Sequence, residues 1–576
     1  MTNVPVKQLI PEAFALVVEA ARRHLNMVHY DVQLLCGVQM ALGRIAEMKT
    51  GEGKTLTASL IGYLYALHGR GMHVVTFNDY LAQRDCDLLR PVYQALGLSC
   101  GVLKENLPPD QRKEIYRRDI TYGSAKEFGF DFLRDRLAIA QTGNPKAGVM
   151  RGTHFALVDE ADSIMIDEAR TPLIIGMVNP SETAITQDCC RWAADVAETF
   201  VENTDYTFDH VKRSVELTDA GVRKCRSLPE NDSTKTISIH QLYTYVKNAI
   251  KVHRDFHRDK NYAVVDDEIV IIDEFTGRPA EGRQWQQGIH QAVQAKENLE
   301  ITPTTRQAAT ITIQSYFNLY DHLCGMTGTA FTSRKEFKKV YQKKVARIPT
   351  HRPIDRKQLP TQVYHSASQK FDAIAEQIGQ LVQQGRPVLI GNRSVGASEI
   401  LSAALLERGI QHNVLNAKFL EQEADIVESA GQPGRVTVAT NMAGRGTDIK
   451  LHPEVKTNGG LHVILTELHE SQRIDWQLIG RGSRQGDPGT YQIFLSLEDE
   501  ILRLGLGPVI AAKLKKQFSG RQRLSARETL RFFQLAQRKT EQRFLTDRLI
   551  VLKQDTERQK NHFDTGQDPY LNVVSS

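Results

Sequence analysis

Long apolar runs are missing from these 576 residues: Ala58 to Leu67, the longest near the start, is half of the roughly 20 residues a membrane-spanning helix needs. The opening MTNVPVKQLIPEAF also lacks a secretion-signal pattern, so a cytosolic protein is expected. Cysteine is scarce, with seven residues (Cys36, Cys86, Cys100, Cys189, Cys190, Cys225, Cys324) and no C-x-x-C pair. That odd, scattered set argues against a disulfide framework, predicts reduced core thiols and gives no reason to expect zinc. Histidine is commoner, at 18, but His462, His469 and the rest form no H-E-x-x-H or similar ligand pair. Only 20 prolines and no low-complexity tract leave little room for a disordered region. A bulk excess of one charge is absent too. The net charge is +5, but residues 501–576 carry 15 Lys/Arg against 7 Asp/Glu, an excess of 8, so the first 500 carry −3. The basic tail suits an acidic membrane surface, a charged partner or a merely solvated helix face.

What is present is enough apolar residue, 41 %, for several cores, and a chain of this length suggests roughly four domains. Ala46-Glu47-Met48-Lys49-Thr50-Gly51-Glu52-Gly53-Lys54-Thr55 runs into the helix-forming stretch Leu56 to Leu60. A glycine-rich loop opening a helix is a phosphate cradle: Gly51, Glu52 and Gly53 turn backbone N–H groups inward. Lys54 supplies charge to the β- and γ-phosphates of ATP, and the Thr55 hydroxyl can sit on Mg2+. Met48 stands where the generic pattern begins with glycine; the alternative reading is a chance Gly-rich turn.

His154 to Val158 has the length and composition of a buried strand and ends in Asp159-Glu160-Ala161-Asp162. A strand tip delivers acids to one point, where the first, Asp159, can hold Mg2+ and the second, Glu160, can orient and deprotonate the attacking water. Upstream, Gln33 is a candidate for reading the adenine edge, since its amide both donates and accepts; a surface glutamine is the competing reading. From about residue 385 the pattern restarts. Strands are expected at Pro387–Gly391, His412–Asn416, Val436–Thr440 and Leu461–Ile464, and a helix at Ser398–Arg408, which predicts a second doubly wound parallel sheet. It ends in Gln477-x-x-Gly480-Arg481-x-x-Arg484, whose two guanidinium groups suit a transferring γ-phosphoryl. The Gly-rich loop Asn441 to Ile449 places Asp448 toward nucleotide, and Met326 to Ala330 fits a small hydroxyl-bearing linking motif.

These motifs are those of a superfamily 2 motor with two RecA-like lobes. Helicases place the third motif tens of residues after the acid pair, whereas 164 residues separate Asp162 from Thr327. The insertion contains an expected helix, Ser238 to Phe256, and a hairpin, Asn261–Val265 with Ile269–Asp273, so it reads as an α+β domain.

With that insertion, the chain closely resembles the SecA preprotein translocase ATPase family. The resemblance rests on Leu9 to Phe14, Val75 to Asp85, Asp119 to Gly123, Asp167 to Ile175, Gly277-Arg278, Gly282-Arg283, His290 to Val293, Leu415 to Lys418 and Asn441 to Ile449. It covers roughly residues 9–555. It implies a first nucleotide-binding domain at 1–176, returning at 313–355, and a preprotein-crosslinking domain at 177–312. A second nucleotide-binding domain at 356–505 and a shortened helical scaffold at 506–576 complete it. By resemblance Gln33, Gly51 to Thr55 and Asp448 contact ATP, Lys54, Asp159 and Glu160 serve hydrolysis, and Arg481 and Arg484 act as fingers. The implied partners are unfolded preprotein, the SecYEG channel and the inner face of the bacterial membrane; a homodimer is open and nucleic acid is not expected. A helicase, or an ATPase that holds preproteins without moving them, is the alternative.

Against the family pattern, only eight residues precede Leu9, and the chain stops at Ser576, so an N-terminal segment, the two-helix finger and the zinc tail are expected to be missing or reduced. Ile479 replaces a usual arginine, and Gly482-Ser483 replaces Ser-Gly, which is expected to slow turnover. The basic helix Leu524 to Leu552, with Phe532, Phe533, Phe544, Leu545 and Leu549, is expected to pack across both lobes rather than on a membrane.

Overall fold

Strands buried on both faces read as continuous apolar runs. Met72–Thr76 is buried throughout, and so is Phe155–Asp159 up to its last residue. In the computed structural model they lie in a seven-stranded parallel sheet. Its order is Val345–Arg347, Ile45–Glu47, His322–Thr327, Phe155–Asp159, Met72–Thr76, Ile120–Ser124 and Cys100–Val102. The structure describes residues 5–178, 180–209, 214–229, 231–258, 261–265, 267–272, 279–280, 285, 288–303, 305–393, 395–415, 426–440, 448–521 and 523–572. The motif residues Asn441–Thr447, Asn416–Lys418, Gly277-Arg278 and Gly282-Arg283, and Asp273 of the expected hairpin, lie outside them.

The chain divides into two compact units, Met1–Ile174 with Thr310–Ser576, and Ile175–Ala309. The first unit holds the two large sheets, this one and a second. Helix Lys54–Ala66 is buried at every position from Leu56 onward, because its largely apolar sequence allows it to be enclosed on all sides. Helices Asp79–Ala95 and Ala125–Thr142 start where Asn78 and Ser124 accept from the N–H groups of Leu81 and Glu127.

The second sheet runs Asn413–Leu415, Val436–Thr440, Val388–Asn392, Leu461–Leu465, Gly489–Ser496, Gln362–Tyr364, Arg523–Leu524; Arg356–Gln358 also pairs with Gly489–Ser496. All its pairs are parallel except Gln362–Tyr364 with Arg523–Leu524. The fold is therefore α/β, with two doubly wound lobes. One 39-residue helix, Ala526–Asp564, spans them. In the second lobe Phe533 and Ala536 enter the core, and Gln537 donates to His469 O and to Asp475. In the first, Arg548 grips Glu336 with two bonds of 2.7 and 2.8 Å, and Asp555 accepts from Thr312 and Ser315. The buried face thus includes Thr529, Gln537, Thr540, Arg548 and Asp555, more polar than the aromatic spacing suggests; Phe544 is half-buried beneath the Arg170 guanidinium, 3.5 Å from its ring centre.

The second unit is α+β. Helix Ile239–Asp255 begins in a reciprocal Ser238/Gln241 cap, and strand Tyr262–Val265 pairs antiparallel with Glu268–Ile272. A second hairpin joins Tyr206–Asp209 to Ser214–Leu217, and Trp285 sits edge-on to Phe256 with centroids 4.9 Å apart. Among the described residues no helix is long and apolar enough to cross a membrane.

Candidate active site

Gly51 and Gly53 both have left-handed backbones, at φ of 89° and 81°, which glycine adopts without a Cβ penalty. A Cβ on Gly53 would come within 2.3 Å of Gln33 Nε2, and one on Gly51 within 2.9 Å of the Arg484 Cβ. The loop is thus tight on two sides before helix Lys54–Ala66 begins. Gln33 is buried and its amide is oriented by backbone: Nε2 donates to Glu52 O at 2.9 Å, and Oε1 accepts from Tyr30 N–H at 2.8 Å. The Glu52 carboxylate accepts from His351 N–H at 2.9 Å.

Lys54, Asp159 and Glu160 are brought together at the tip of the central strand. Lys54 Nζ bonds Glu160 Oε1 and lies 3.9 Å from Asp159 Oδ1. Burial opposes the Lys54 charge, but Glu160 and Asp159 outweigh it and hold its pKa above the usual lysine range. Burial pushes Asp159 up to about 7, with Lys54 working against the shift. Glu160 has φ of 50°, a conformation that strains a residue with a side chain by about 1–2 kcal/mol. Its N–H donates to Asp159 Oδ1 and its carbonyl accepts from Ser163 N–H, both at 2.9 Å, so the turn that aims the carboxylate is locked.

The residues fit a magnesium nucleotide. Thr55 Oγ1 donates to Asp85 at 3.3 Å, and a hydroxyl that spends its proton this way keeps lone pairs for a cation. Thr55 and Asp159 are the residues that would hold it.

A hub that no motif marks lies just beyond the acid pair. Asp162 is fully buried and accepts from the hydroxyls of Thr327 and Thr329, from Gln477 Nε2 at 2.8 Å, and from Arg473 at 3.3 Å. Arg473 also holds Asp167 through two bonds. Arg473 and Gln477 stand four apart on helix Gln472–Ile479 and so share a face. That spacing was the available signal, although nothing in the sequence tied it to Asp162. First-lobe acids thereby meet second-lobe donors.

Arg484 is buried and bonds Asp448, while the neighbouring Gln485 donates to Gly51 O at 2.9 Å. The arginine loop therefore rests on the phosphate loop; Arg481, three residues earlier, is half-buried. Ser483 adopts φ of 57° and donates to Asp355 O at 3.0 Å.

The family model for the SecA DEAD-like domain matches residues 2–338, and that for the SecA P-loop domain matches 353–458 and 450–518. The chain belongs to the SecA family. A Rhodopirellula baltica protein named protein translocase subunit SecA 2 is 48% identical over 600 residues, covering all of this chain and 91% of that one. Protein translocase subunit SecA of Clostridium botulinum is 48% identical over 499 residues, covering 87% of this chain and 59% of that one. Its namesake in Halothermothrix orenii is 46% identical over 551 residues, covering 95% and 64%. This SecA-family chain thus spans most of the first relative but less than two thirds of the other two. Among solved structures, S. cerevisiae Dbp5 bound to RNA and ADP BeF3 is similar over 89% of this chain and 93% of that one. At 12% identity and a TM-score of 0.42 it is too distant to bear on the site.

Proposed function

We propose that this chain is an ATP-hydrolysing SecA-type translocase subunit that couples lobe closure to the movement of unfolded preprotein through the SecY channel, acting at the inner face of the membrane. The observation that carries the reading is the meeting of Lys54 with Asp159 and Glu160 beside a glycine loop on which the second lobe's Arg484–Gln485 segment rests. Membership of the SecA family favours polypeptide over nucleic acid as cargo.

In this mechanism Lys54 turns from Glu160 to the phosphates, and the Glu160 carboxylate takes the attacking water's proton as the water oxygen bonds the γ-phosphorus. The bond from that phosphorus to the β–γ bridging oxygen breaks, leaving ADP and phosphate. Mg2+, when bound, draws charge from the phosphate oxygens. Lys54 and the backbone N–H groups of Gly51 to Thr55 hold the phosphates; Arg484 and Arg481 neutralise charge on the transferring group; Gln33, fixed by Glu52 O and Tyr30 N–H, faces the adenine. The Asp162 hub makes lobe position depend on the geometry of the acid strand. The inserted unit grips the extended chain.

The test is ATPase turnover of the full chain alone, with unfolded preprotein, with SecY vesicles and with RNA, beside Glu160→Gln. Stimulation by preprotein or SecY is expected, and Glu160→Gln should lose about 100-fold or more while still binding nucleotide. Equal turnover in the two chains refutes hydrolysis at this site. Stimulation by RNA alone refutes the translocase reading and leaves the ATPase intact.

A further inference from the structure

Cys86 and Cys100 meet in the first lobe with their sulfurs 3.3 Å apart. Cys86 lies on helix Asp79–Ala95 and is fully buried; Cys100 opens the edge strand of the seven-stranded sheet and keeps a sliver of exposure, 8 %. A guanidinium nitrogen of Arg90 stands 3.8 Å from the Cys86 sulfur. All seven cysteines are free thiols. The two sulfurs stand about 1.2 Å beyond a disulfide bond length of about 2.05 Å.

We propose that Cys86 and Cys100 form a modification site, a thiol pair that a hydroperoxide oxidises to an intrachain disulfide. Cys100 is the attacking sulfur, being at the edge strand and accepting the S–H of Cys86, a bond that holds its pKa below the ordinary thiol range. Its thiolate attacks the terminal peroxide oxygen, the O–O bond breaks, and the leaving hydroxide, or alkoxide from an organic hydroperoxide, takes up the proton that Cys100 lost on ionising, to become water or an alcohol. Cys100 is then a sulfenic acid. The Cys86 sulfur attacks it, the S–S bond forms, the S–O bond breaks, and hydroxide leaves with the Cys86 proton as water. Two thiols are oxidised and one hydroperoxide is reduced. The bond would tie helix Asp79–Ala95 to the edge strand one residue from Asp85, the partner of Thr55.

The full chain is treated with hydrogen peroxide, unfolded in excess iodoacetamide, digested and mapped by mass. The expected product is a linked Cys86–Cys100 peptide pair, lighter by two hydrogens and separated by dithiothreitol, with the other five cysteines alkylated. In Cys86→Ser, whose hydroxyl still donates to Cys100, no linked pair forms and dimedone traps a sulfenic acid at Cys100. Recovery of both thiols alkylated from the oxidised native chain, or a linked pair that appears only when peroxide is added to urea-unfolded chain, overturns the proposal.

Discussion

Replacing Arg473 by methionine should uncouple the two lobes. The guanidinium is 2 % exposed and touches two carboxylates, Asp162 at 3.3 Å and Asp167 at 2.9 Å and closer. Breaking a buried pair by removing one partner costs about 3–5 kcal/mol, chiefly for the charge left behind. The lower end applies here. Asp162 keeps the hydroxyls of Thr327 and Thr329 and the Gln477 amide, and the Asp167 side chain, 27 % exposed, reaches water. About 3 kcal/mol corresponds to roughly a 150-fold shift toward separated lobes. Urea unfolding read by Trp476, the one tryptophan in the unit that holds both lobes, would show it as an earlier transition of the second lobe. Adding Asp167→Asn removes a stranded charge and should restore about 1–2 kcal/mol. A loss below about 1 kcal/mol in Arg473→Met, or strict additivity in the double variant, would refute the argument that this contact couples the lobes.

Gly53→Ala should abolish nucleotide binding, measured by fluorescent ATP titration, because the new methyl carbon falls 2.3 Å from Gln33 Nε2 on a left-handed backbone; wild-type affinity would contradict this. His73 is buried against Tyr320, and burial pulls its pKa down to about 3, so the stability it supports is present above pH 6.5 and lost as pH falls from 6.5 toward 3. About 2 kcal/mol should disappear by pH 5, and His73→Asn should flatten that slope in urea titrations at pH 7.5 and 5. Ser483→Gly relieves about 1 kcal/mol of left-handed strain but forfeits the bond to Asp355 O, worth about as much. The melting temperature should therefore barely move, while turnover rises as the arginine loop relaxes; an unchanged rate in steady-state ATPase assays argues against that effect.

Much of the fold was legible because its signals are local. Val436–Thr440 is a strand at the expected limits, and Ser238 with Gln241 marks the start of helix Ile239–Asp255 as a short-range cap does. That Lys54 stands beside Asp159 and Glu160 follows from equally local signals, since a glycine turn before a helix and acids after an apolar strand each state their geometry within about ten residues. The Asp162 hub was not, because Arg473 is 311 residues away and no periodicity relates the two. The polar underside of helix Ala526–Asp564 was hidden for a similar reason: Arg548 looks like a solvent-facing charge until Glu336 is brought beneath it. The 14-residue interval between Cys86 and Cys100 likewise gives no hint that a helix and an edge strand press their sulfurs together.

Helix Ala526–Asp564 is about 58 Å of stiff rod pinned at both ends, to His469 and Asp475 in one lobe and to Glu336, Thr312 and Ser315 in the other. A rod so pinned works in both directions. If nucleotide tilts it, then any molecule that tilts it from its solvent side must change nucleotide affinity by the same factor that nucleotide changes its own, because the two bindings close one thermodynamic cycle. Under the proposed function ATP affinity would then be a gauge of load: a cargo or channel leaning on the rod would write its presence into the dissociation constant of a ligand it never touches.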